Sequence, residues 1–234
     1  MRWPANNSVE KPLEQASEGP GALRPEAAIT DSCPEQVLGW GMAEGDRRRW
    51  DERYTTQGPP PVSALEAPEL LARHTDLLPT AGTALDLACG QGFGAVWLAR
   101  RGLEVLGLDI SPVAISQARD LARRSGVGDR CRFDVVDLDD GLPAGQPVDV
   151  ILCHKFRDRR LDDAIIGRLA PGGLLAVAVL SEVGAAPGPF RAVPGELPAA
   201  FAGLDQIADG EGQGYAWLLA RARRSGFQSG ADSR

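Results

Sequence analysis

The 234-residue sequence contains only four cysteines and two histidines, and it has no C-x-x-C pair. The cysteines are widely spaced, at Cys33, Cys89, Cys131 and Cys153. Disulfide frameworks and zinc sites are built from closely grouped cysteine or histidine residues, so this spacing argues against both. We therefore expect no metal site.

Long apolar runs are also lacking. The longest, Leu174 to Leu180, has seven residues, whereas a membrane-spanning helix needs about 20. The first 30 residues contain no apolar segment of the kind that signal peptides carry. Positive charge is scarce as well: the net charge of −7 argues against a nucleic-acid partner, because phosphate contacts need a basic surface. We expect a cytoplasmic monomer or homodimer that binds neither nucleic acid nor membrane.

The composition is that of one folded domain, with 43% hydrophobic and 24% charged residues. Residues 1–45 are rich in Pro, Gly, Glu, Ser and Ala without periodicity, which predicts a disordered N-terminal extension. We expect the folded domain to occupy residues 46–221 and a flexible tail to occupy residues 222–234. Met42 is the only methionine after Met1, and it leads to the hypothesis that the functional protein begins near this position.

The most informative segment runs from Ala84 to Gly94 and reads ALDLACGQGFG. An apolar strand breaks here into a glycine turn that opens a helix. Asp109 follows Asp86 by 23 positions, at the end of the next apolar run. Glycines let the backbone approach a ligand closely, and a carboxylate after the second strand accepts hydrogen bonds from ribose hydroxyls. The two features together predict a site for a nucleotide-like ligand.

Strand and helix patterns alternate through the rest of the chain. This alternation predicts an α/β fold with a doubly wound, seven-stranded, mostly parallel sheet and a C-terminal antiparallel hairpin. Upstream of the sheet, the pattern predicts two further helices, Arg47–Tyr54 and Glu66–Leu78. The predicted strands are Thr83–Leu87, Val105–Leu108, Cys131–Val136, Val148–Leu152, Leu174–Leu180, and the segments around Leu204–Ala208 and Tyr215–Ala220.

Residues 86–92, DLACGQG, resemble motif I of the class I S-adenosylmethionine-dependent methyltransferases, D-x-[GA]-x-G-x-G. Residues 169–175, LAPGGLL, resemble the L-x-P-G-G-x-L turn of the same superfamily. The resemblance implies this fold and S-adenosyl-L-methionine as the cofactor. Residues 50–54, WDERY, and residues 109–112, DISP, are similar to the tellurite-resistance and thiopurine-methyltransferase-like group. In that group an N-terminal aromatic helix closes over the cofactor.

Candidate cofactor residues follow the ends of the predicted strands, where doubly wound sheets bind ligands. Asp86 would organise the glycine loop, and Asp109 would bind the ribose with Ile110 on the adenine. Asp137 would accept a hydrogen bond from the adenine amine, beside the backbone of Leu138. Simpler alternatives stay open: a helix cap for Asp109, a turn for Asp137, and core packing for the aromatic pair and the cysteines. The full candidate set is Trp50, Tyr54, Asp86, Ala88, Cys89, Gly90, Gly92, Asp109, Ile110, Asp137, Leu138 and Cys153.

Candidate catalytic residues follow the fourth predicted strand, where the sequence reads CHKFRDRR. His154 is a candidate general base, and Lys155 and Arg157 are candidate receptors for an anionic substrate; the alternative is a solvated start to the next helix. The resemblance implies methyl transfer to a small-molecule acceptor: a thiol, an oxyanion such as tellurite or selenite, or a hydroxyl. A non-catalytic S-adenosylmethionine-binding regulator or partner subunit is the alternative function. An NAD(P)-dependent oxidoreductase is disfavoured because Ala95 stands where its motif needs a third glycine.

Overall fold

The computed structural model describes residues 35–188 and 190–224, with side chains described from residue 44 onward. The helices in this part of the chain are α1 (Glu35–Gln57), α2 (Glu69–Ala72), α3 (Phe93–Arg100), α4 (Pro112–Arg124), α5 (Asp162–Arg168) and α6 (Glu196–Ala200). The strands are β1 (Thr83–Leu87), β2 (Glu104–Asp109), β3 (Cys131–Val135), β4 (Val148–His154), β5 (Leu169–Leu180), β6 (Asp205–Gly212) and β7 (Tyr215–Arg221). None of the helices described is long and apolar enough to cross a membrane.

The seven strands form one sheet in the order β3-β2-β1-β4-β5-β7-β6. Strands β1 to β5 pair in parallel, and β7 pairs antiparallel with both β5 and β6. The predicted doubly wound sheet with a C-terminal hairpin is therefore confirmed. The chain proceeds outward from β1 to β3 and then returns to β4 on the other side of β1. This reversal opens a crevice at the carboxyl ends of β1 and β4, which is where such sheets bind ligands.

Helices cover both faces of the sheet. On one face, Leu85, Leu87 and Ile151 pack with residues of α5 and α6. On the other face, Ala84 and Val150 pack with residues of α3 and α4. Successive side chains of a strand point to opposite faces, so β1 is buried at four of its five positions. Continuous apolar strands of this kind are typical of parallel sheets covered on both sides.

Helix α4 forms where its capping residues predict. Ser111 is the N-cap, its Oγ accepts a hydrogen bond from Ala114 N–H at 3.1 Å, and Pro112 occupies the first helical position. Proline is suited to this position because its missing N–H has no partner there in any helix. The cap places Asp109, two residues upstream, at the end of β2 and beside the crevice.

Several boundaries differ from the sequence prediction. The helix predicted over Glu66–Leu78 is wrong: only α2 is helical there, followed by a 3-10 turn over Thr75–Leu77. Pro68 starts the short helix, and His74 (φ −130°) leaves helical geometry after it. Helix α1 begins at Glu35, eleven residues before the predicted domain start. Residues 1–34 of the predicted extension and residues 225–234 of the predicted tail lie outside the described residues.

Strands β2, β4, β5, β6 and β7 extend beyond their predicted bounds, and one extension matters for the site. Strand β4 continues to His154, so the candidate base belongs to the sheet itself. Strand β5 begins at Leu169 and includes the Pro-Gly-Gly segment that was predicted to precede it.

Candidate active site

The glycine loop turns sharply away from β1. Ala88, Gly90 and Gly92 have positive φ angles of 50°, 53° and 81°, a conformation that glycine adopts without strain and other residues rarely adopt. Cys89 N–H donates to the carbonyl of Leu108 at 2.9 Å, which ties the loop to β2. A Cβ on Gly92 would lie 2.7 Å from Ala118 Cβ of α4, so this glycine lets the loop pack closely against α4.

Asp109 joins the glycine loop to the start of α4. Its Oδ2 accepts from Gly90 N–H at 2.8 Å, and its Oδ1 accepts from Ser111 N–H at 2.9 Å. Burial raises the pKa of Asp109, the two backbone N–H groups lower it, and Asp51 raises it further. Because Ser111 caps α4, the capping alternative for Asp109 is wrong. Ile110, directly after it, is half-buried.

Asp86 lies beneath the loop and is 3% exposed. Burial raises its pKa to about 7, with a smaller contribution from Asp109, while a hydrogen bond from Ala95 N–H opposes the shift. A Cβ on Gly94 would lie 2.9 Å from Asp86 Oδ2. Asp86 therefore contacts the first turn of α3 from below, as expected of a residue that organises the loop.

Helix α1 lies across the glycine loop. The Tyr54 hydroxyl is close enough to Gly90 that a Cβ there would be 2.8 Å from it. Trp50 stacks on Tyr54, with ring centroids 5.8 Å apart and an interplanar angle of 24°. Burial, and then Asp109, raise the pKa of Tyr54, so its hydroxyl stays protonated. Tyr54 thus packs against the glycine loop, and closure of the aromatic pair over the cofactor stays a prediction.

Polar contacts fasten α1 in this position. Asp51 accepts a hydrogen bond from Ser111 Oγ. Gln91 Nε2 donates to the carbonyl of Gly58 at 2.8 Å, and Gln117 Nε2 donates to the carbonyl of Tyr54 at 3.1 Å. Sequence reasoning missed Asp51, Gln91 and Gln117, because each contact joins segments that are distant in the chain and no local motif marks them.

Asp137 follows β3 at the crevice. Its Oδ1 accepts from Asp139 N–H at 2.9 Å and caps the short turn that Leu138 begins. Leu138 is buried in the hydrophobic core. The turn-opening alternative is thus present in the structure, and the adenine contact stays a prediction.

The carboxyl end of β4 carries Cys153, His154 and Lys155. Cys153 is buried, its thiol donates to the carbonyl of Phe156 at 3.2 Å, and burial raises its pKa to about 12. His154 is exposed at the surface, yet the protein atoms crowded around it, and then Lys155, lower its pKa to about 4. Lys155 has a φ of 61°, a strained value for a non-glycine residue and one that often marks functional sites.

Arg157 does not face the crevice as an open anion receptor, contrary to the sequence prediction. Its side chain is 5% exposed and forms a bidentate pair with Asp162, at 2.5 and 2.8 Å, and a 2.7 Å bond to Glu196. Two carboxylates therefore neutralise the guanidinium inside the protein. Arg157 ties the segment after β4 to the start of α6 instead.

The site thus combines the glycine loop, the buried carboxyl groups of Asp86 and Asp109, and the stacked aromatic pair Trp50 and Tyr54. Residues 84–173 match the family model described as a methyltransferase domain. These residues form a class I S-adenosylmethionine-dependent methyltransferase domain. The predicted superfamily and the predicted cofactor, S-adenosyl-L-methionine, are both confirmed.

Curated relatives share this domain but are longer proteins. The chain is 36% identical over 110 residues to the ribosomal protein L11 methyltransferase of Photobacterium profundum, a match that covers 43% of this chain and 34% of that protein. Over the first eight relatives, the matches cover between 32% and 54% of the relative's length.

Two solved structures match a larger part of this chain than the Photobacterium profundum protein does. TehB from Haemophilus influenzae has a TM-score of 0.58 and 17% identity, covering 65% of this chain and 61% of TehB, a likeness of fold. A protein solved in work on the conversion of a disulfide bond into a thioacetal group during echinomycin biosynthesis has a TM-score of 0.57 and 26% identity. That match covers 77% of this chain and 94% of the other.

Proposed function

We propose that this methyltransferase domain transfers a methyl group from S-adenosyl-L-methionine to a small-molecule acceptor. The observation that carries the proposal is the position of Asp109, whose two oxygens receive the N–H groups of Gly90 and Ser111. This arrangement holds a buried carboxylate beside Gly90, where the loop has no side chain. Cofactor ribose and methionine groups need these two features.

The residues present fit the cofactor. A Cβ at Gly90 would meet Tyr54, so the space above the loop is closed by an aromatic ring rather than open to solvent. When bound, S-adenosylmethionine supplies an electrophilic methyl group on a positively charged sulfur. The Asp109 carboxylate lies beside the crevice and favours a cation there. Asp109 would hold the ribose, and Tyr54 would cover the bound molecule.

The groups at the end of β4 favour an acceptor that arrives already ionised. With a pKa of about 4, His154 is neutral at pH 7 but a weak base, and general-base catalysis is most effective when the pKa is near the working pH. Cys153 stays a protonated thiol. A thiolate, an oxyanion such as tellurite or selenite, or an acidic hydroxyl needs no strong base, so the chain's task is to position the acceptor and exclude water.

A protein acceptor is the second candidate, because 43% of this chain is similar to a ribosomal protein L11 methyltransferase. The position of α1 favours the small molecule. Arg49 of α1 lies 5.9 Å from the ring of Phe190, which follows β5. This contact narrows the front of the crevice, where a protein substrate would have to insert a chain segment.

Calorimetric titration of the full chain with S-adenosylmethionine, S-adenosylhomocysteine and NADH tests the cofactor. Wild-type protein is expected to bind the first two in the micromolar range, and Asp109→Ala is expected to abolish this binding. Asp129→Ala is the matched control, because Asp129 is exposed and lies outside the crevice. Binding of NADH in place of the other two would refute the proposal.

Turnover then separates the acceptors. Formation of S-adenosylhomocysteine is measured with a thiol, selenite, tellurite and a phenol, and separately with purified ribosomal protein. Turnover with a small acceptor supports the proposal. Cofactor binding followed by turnover on the ribosomal protein alone would replace it with the protein acceptor, and cofactor binding without any turnover would favour a non-catalytic regulator.

A further inference from the structure

An aromatic and cationic cluster lies at the front of the crevice, formed by Arg49, Trp50, Arg53 and Phe190. The Arg49 guanidinium carbon lies 5.6 Å from the Trp50 ring centroid and 5.9 Å from that of Phe190. Arg53 lies 5.1 Å from the Trp50 ring. Phe190 is 59% exposed, the highest value among the exposed large hydrophobic residues in the described part of the chain. More than half of the Phe190 side chain is therefore accessible to a ligand.

The sheet order places this cluster directly above the end of β4. Tyr54 lies over the loop after β1, Arg49 contacts the loop after β5, and β4 is the strand between them. Strands β1 and β5 are two strands apart, or about 10 Å. The helix advances about 7.5 Å from Tyr54 to Arg49, and the length of the arginine side chain covers the remaining distance between the two strands. Helix α1 therefore runs between the loops that follow β1 and β5, the two strands that flank β4, and Lys155 directly follows β4.

The loop that carries Phe190 is held at its base. Glu196 accepts from Val193 N–H at 2.9 Å and from Arg157 at 2.7 Å. Arg191 donates to the carbonyl of Ser181 at 2.7 Å. Ion pairs with little exposure of this kind fix the geometry of a loop even where they add little net stability. The Phe190 ring is therefore presented from an anchored segment.

The charge at this place is opposite to that of the whole chain. The chain carries −7, yet the front of the crevice presents Arg49, Arg53 and Lys155. Arg49 pairs with Asp46 at 3.2 Å in an exposed contact, whereas Arg53 and Lys155 have no carboxylate partner among the described residues. Arg53 over the Trp50 ring, Lys155 after the end of β4 and the exposed Phe190 ring are together suited to a flat anion.

We propose that the acceptor is a planar aromatic anion, which lies against the exposed ring of Phe190 while its negative group meets Lys155 and the arginines of α1. This inference rests on the proposed function, and it names the class of acceptor that the site takes. Phe190 and Lys155 are then residues that determine specificity for methyl transfer.

Binding of 1-naphthoate to the full chain saturated with S-adenosylhomocysteine tests this inference without turnover. Two comparison probes each lack one feature: 1-naphthalenemethanol lacks the charge, and cyclohexanecarboxylate lacks the flat ring. Calorimetry is expected to show that 1-naphthoate binds about tenfold more tightly than either, as cation–π and stacking contacts imply. Equal affinity for all three probes, or no binding of 1-naphthoate, would overturn the inference.

Two variants locate the binding. Phe190→Ala and Lys155→Gln are each expected to weaken 1-naphthoate binding about five- to tenfold while the affinity for S-adenosylhomocysteine stays the same. Ile207→Ala is the control for the first, because Ile207 is 40% exposed on β6. Arg48→Gln is the control for charge, because Arg48 is exposed on α1.

The two proposals fail separately. If S-adenosylhomocysteine does not bind, the proposed function falls and the acceptor question with it. If S-adenosylhomocysteine binds and the controls weaken 1-naphthoate as much as Phe190→Ala and Lys155→Gln, the methyltransferase proposal stands and the inference about the acceptor is refuted.

Discussion

Replacing Asp86 with asparagine is expected to stabilise the ligand-free protein above neutral pH. Burial raises the pKa of Asp86 from 3.8 to about 7. Between these two values the folded state holds a proton that the unfolded state has released, so the free energy of unfolding falls as pH rises. Above pH 7 Asp86 is an ionised carboxylate that is 3% exposed. Asp86→Asn is neutral throughout and keeps an oxygen for the Ala95 N–H.

The magnitude follows from the size of the shift. About three pKa units at about 1.4 kcal/mol each correspond to about 4 kcal/mol lost between roughly pH 4 and pH 7. Asp86→Asn is therefore expected to match wild type at pH 4 and to exceed it by about 2–4 kcal/mol at pH 8. His154 acts in the opposite sense, because its lowered pKa of about 4 makes the free energy of unfolding rise with pH up to about 6.5. The difference between variant and wild type removes this contribution.

Urea unfolding of both proteins at pH 4, 5, 6, 7 and 8 measures the difference. Asp129→Asn, an exposed substitution of the same kind, is expected to show no such trend. A constant difference across the whole range, or a variant that becomes less stable than wild type as pH rises, would refute the assignment of a buried, strained carboxylate to Asp86.

Two further substitutions test the contact between Tyr54 and Gly90 and the ion pairs of Arg157. Gly90→Ala introduces a Cβ 2.8 Å from the Tyr54 hydroxyl at a φ of 53°. We expect the free energy of unfolding to fall by about 1–2 kcal/mol and the near-ultraviolet circular dichroism spectrum to change. Gly167→Ala is the control, because its Cβ meets open space, and it should leave that spectrum unaltered. Arg157→Met leaves Asp162 without its ion-pair partner and Glu196 paired only to the exposed Arg159, and it is expected to cost about 3–5 kcal/mol in urea unfolding. Arg132→Met, whose side chain is 78% exposed in a separate surface pair, is expected to cost less than about 1 kcal/mol. Equal losses would show that the Arg157 network contributes no more than a surface pair.

The cofactor side of the site was predictable because its parts are local in sequence. The glycine loop follows β1 directly, and Ser111 and Pro112 mark the start of α4 by their capping chemistry. Asp109 then falls at the end of β2 by counting. Each of these steps uses a turn, a cap or a strand end, for which a few neighbouring residues suffice.

Two predictions were wrong, the helix over Glu66–Leu78 and the role of Arg157, and hydrophobic periodicity and composition do not contain the physical reasons. The stretch from Glu66 to Leu78 has helical periodicity, but Pro68 and the geometry at His74 confine the helix to one turn. Arg157 has the composition of a basic surface run, yet its partner Glu196 lies 39 positions away. Local backbone chemistry that the helical periodicity hides decided the first case, and tertiary pairing decided the second.

The acceptor side is built differently, and this difference explains why the sequence indicates the cofactor more clearly than the substrate. Three segments meet there: residues 49–54 of α1, the end of β4 at His154–Lys155, and the loop between β5 and α6. Only the sheet order, β1-β4-β5, brings them together. Changes in any one of them can alter the charge or shape of the crevice without touching the glycine loop or Asp109. Substrate assignment in this domain therefore has to start from these three segments taken together, because cofactor motifs carry no information about them.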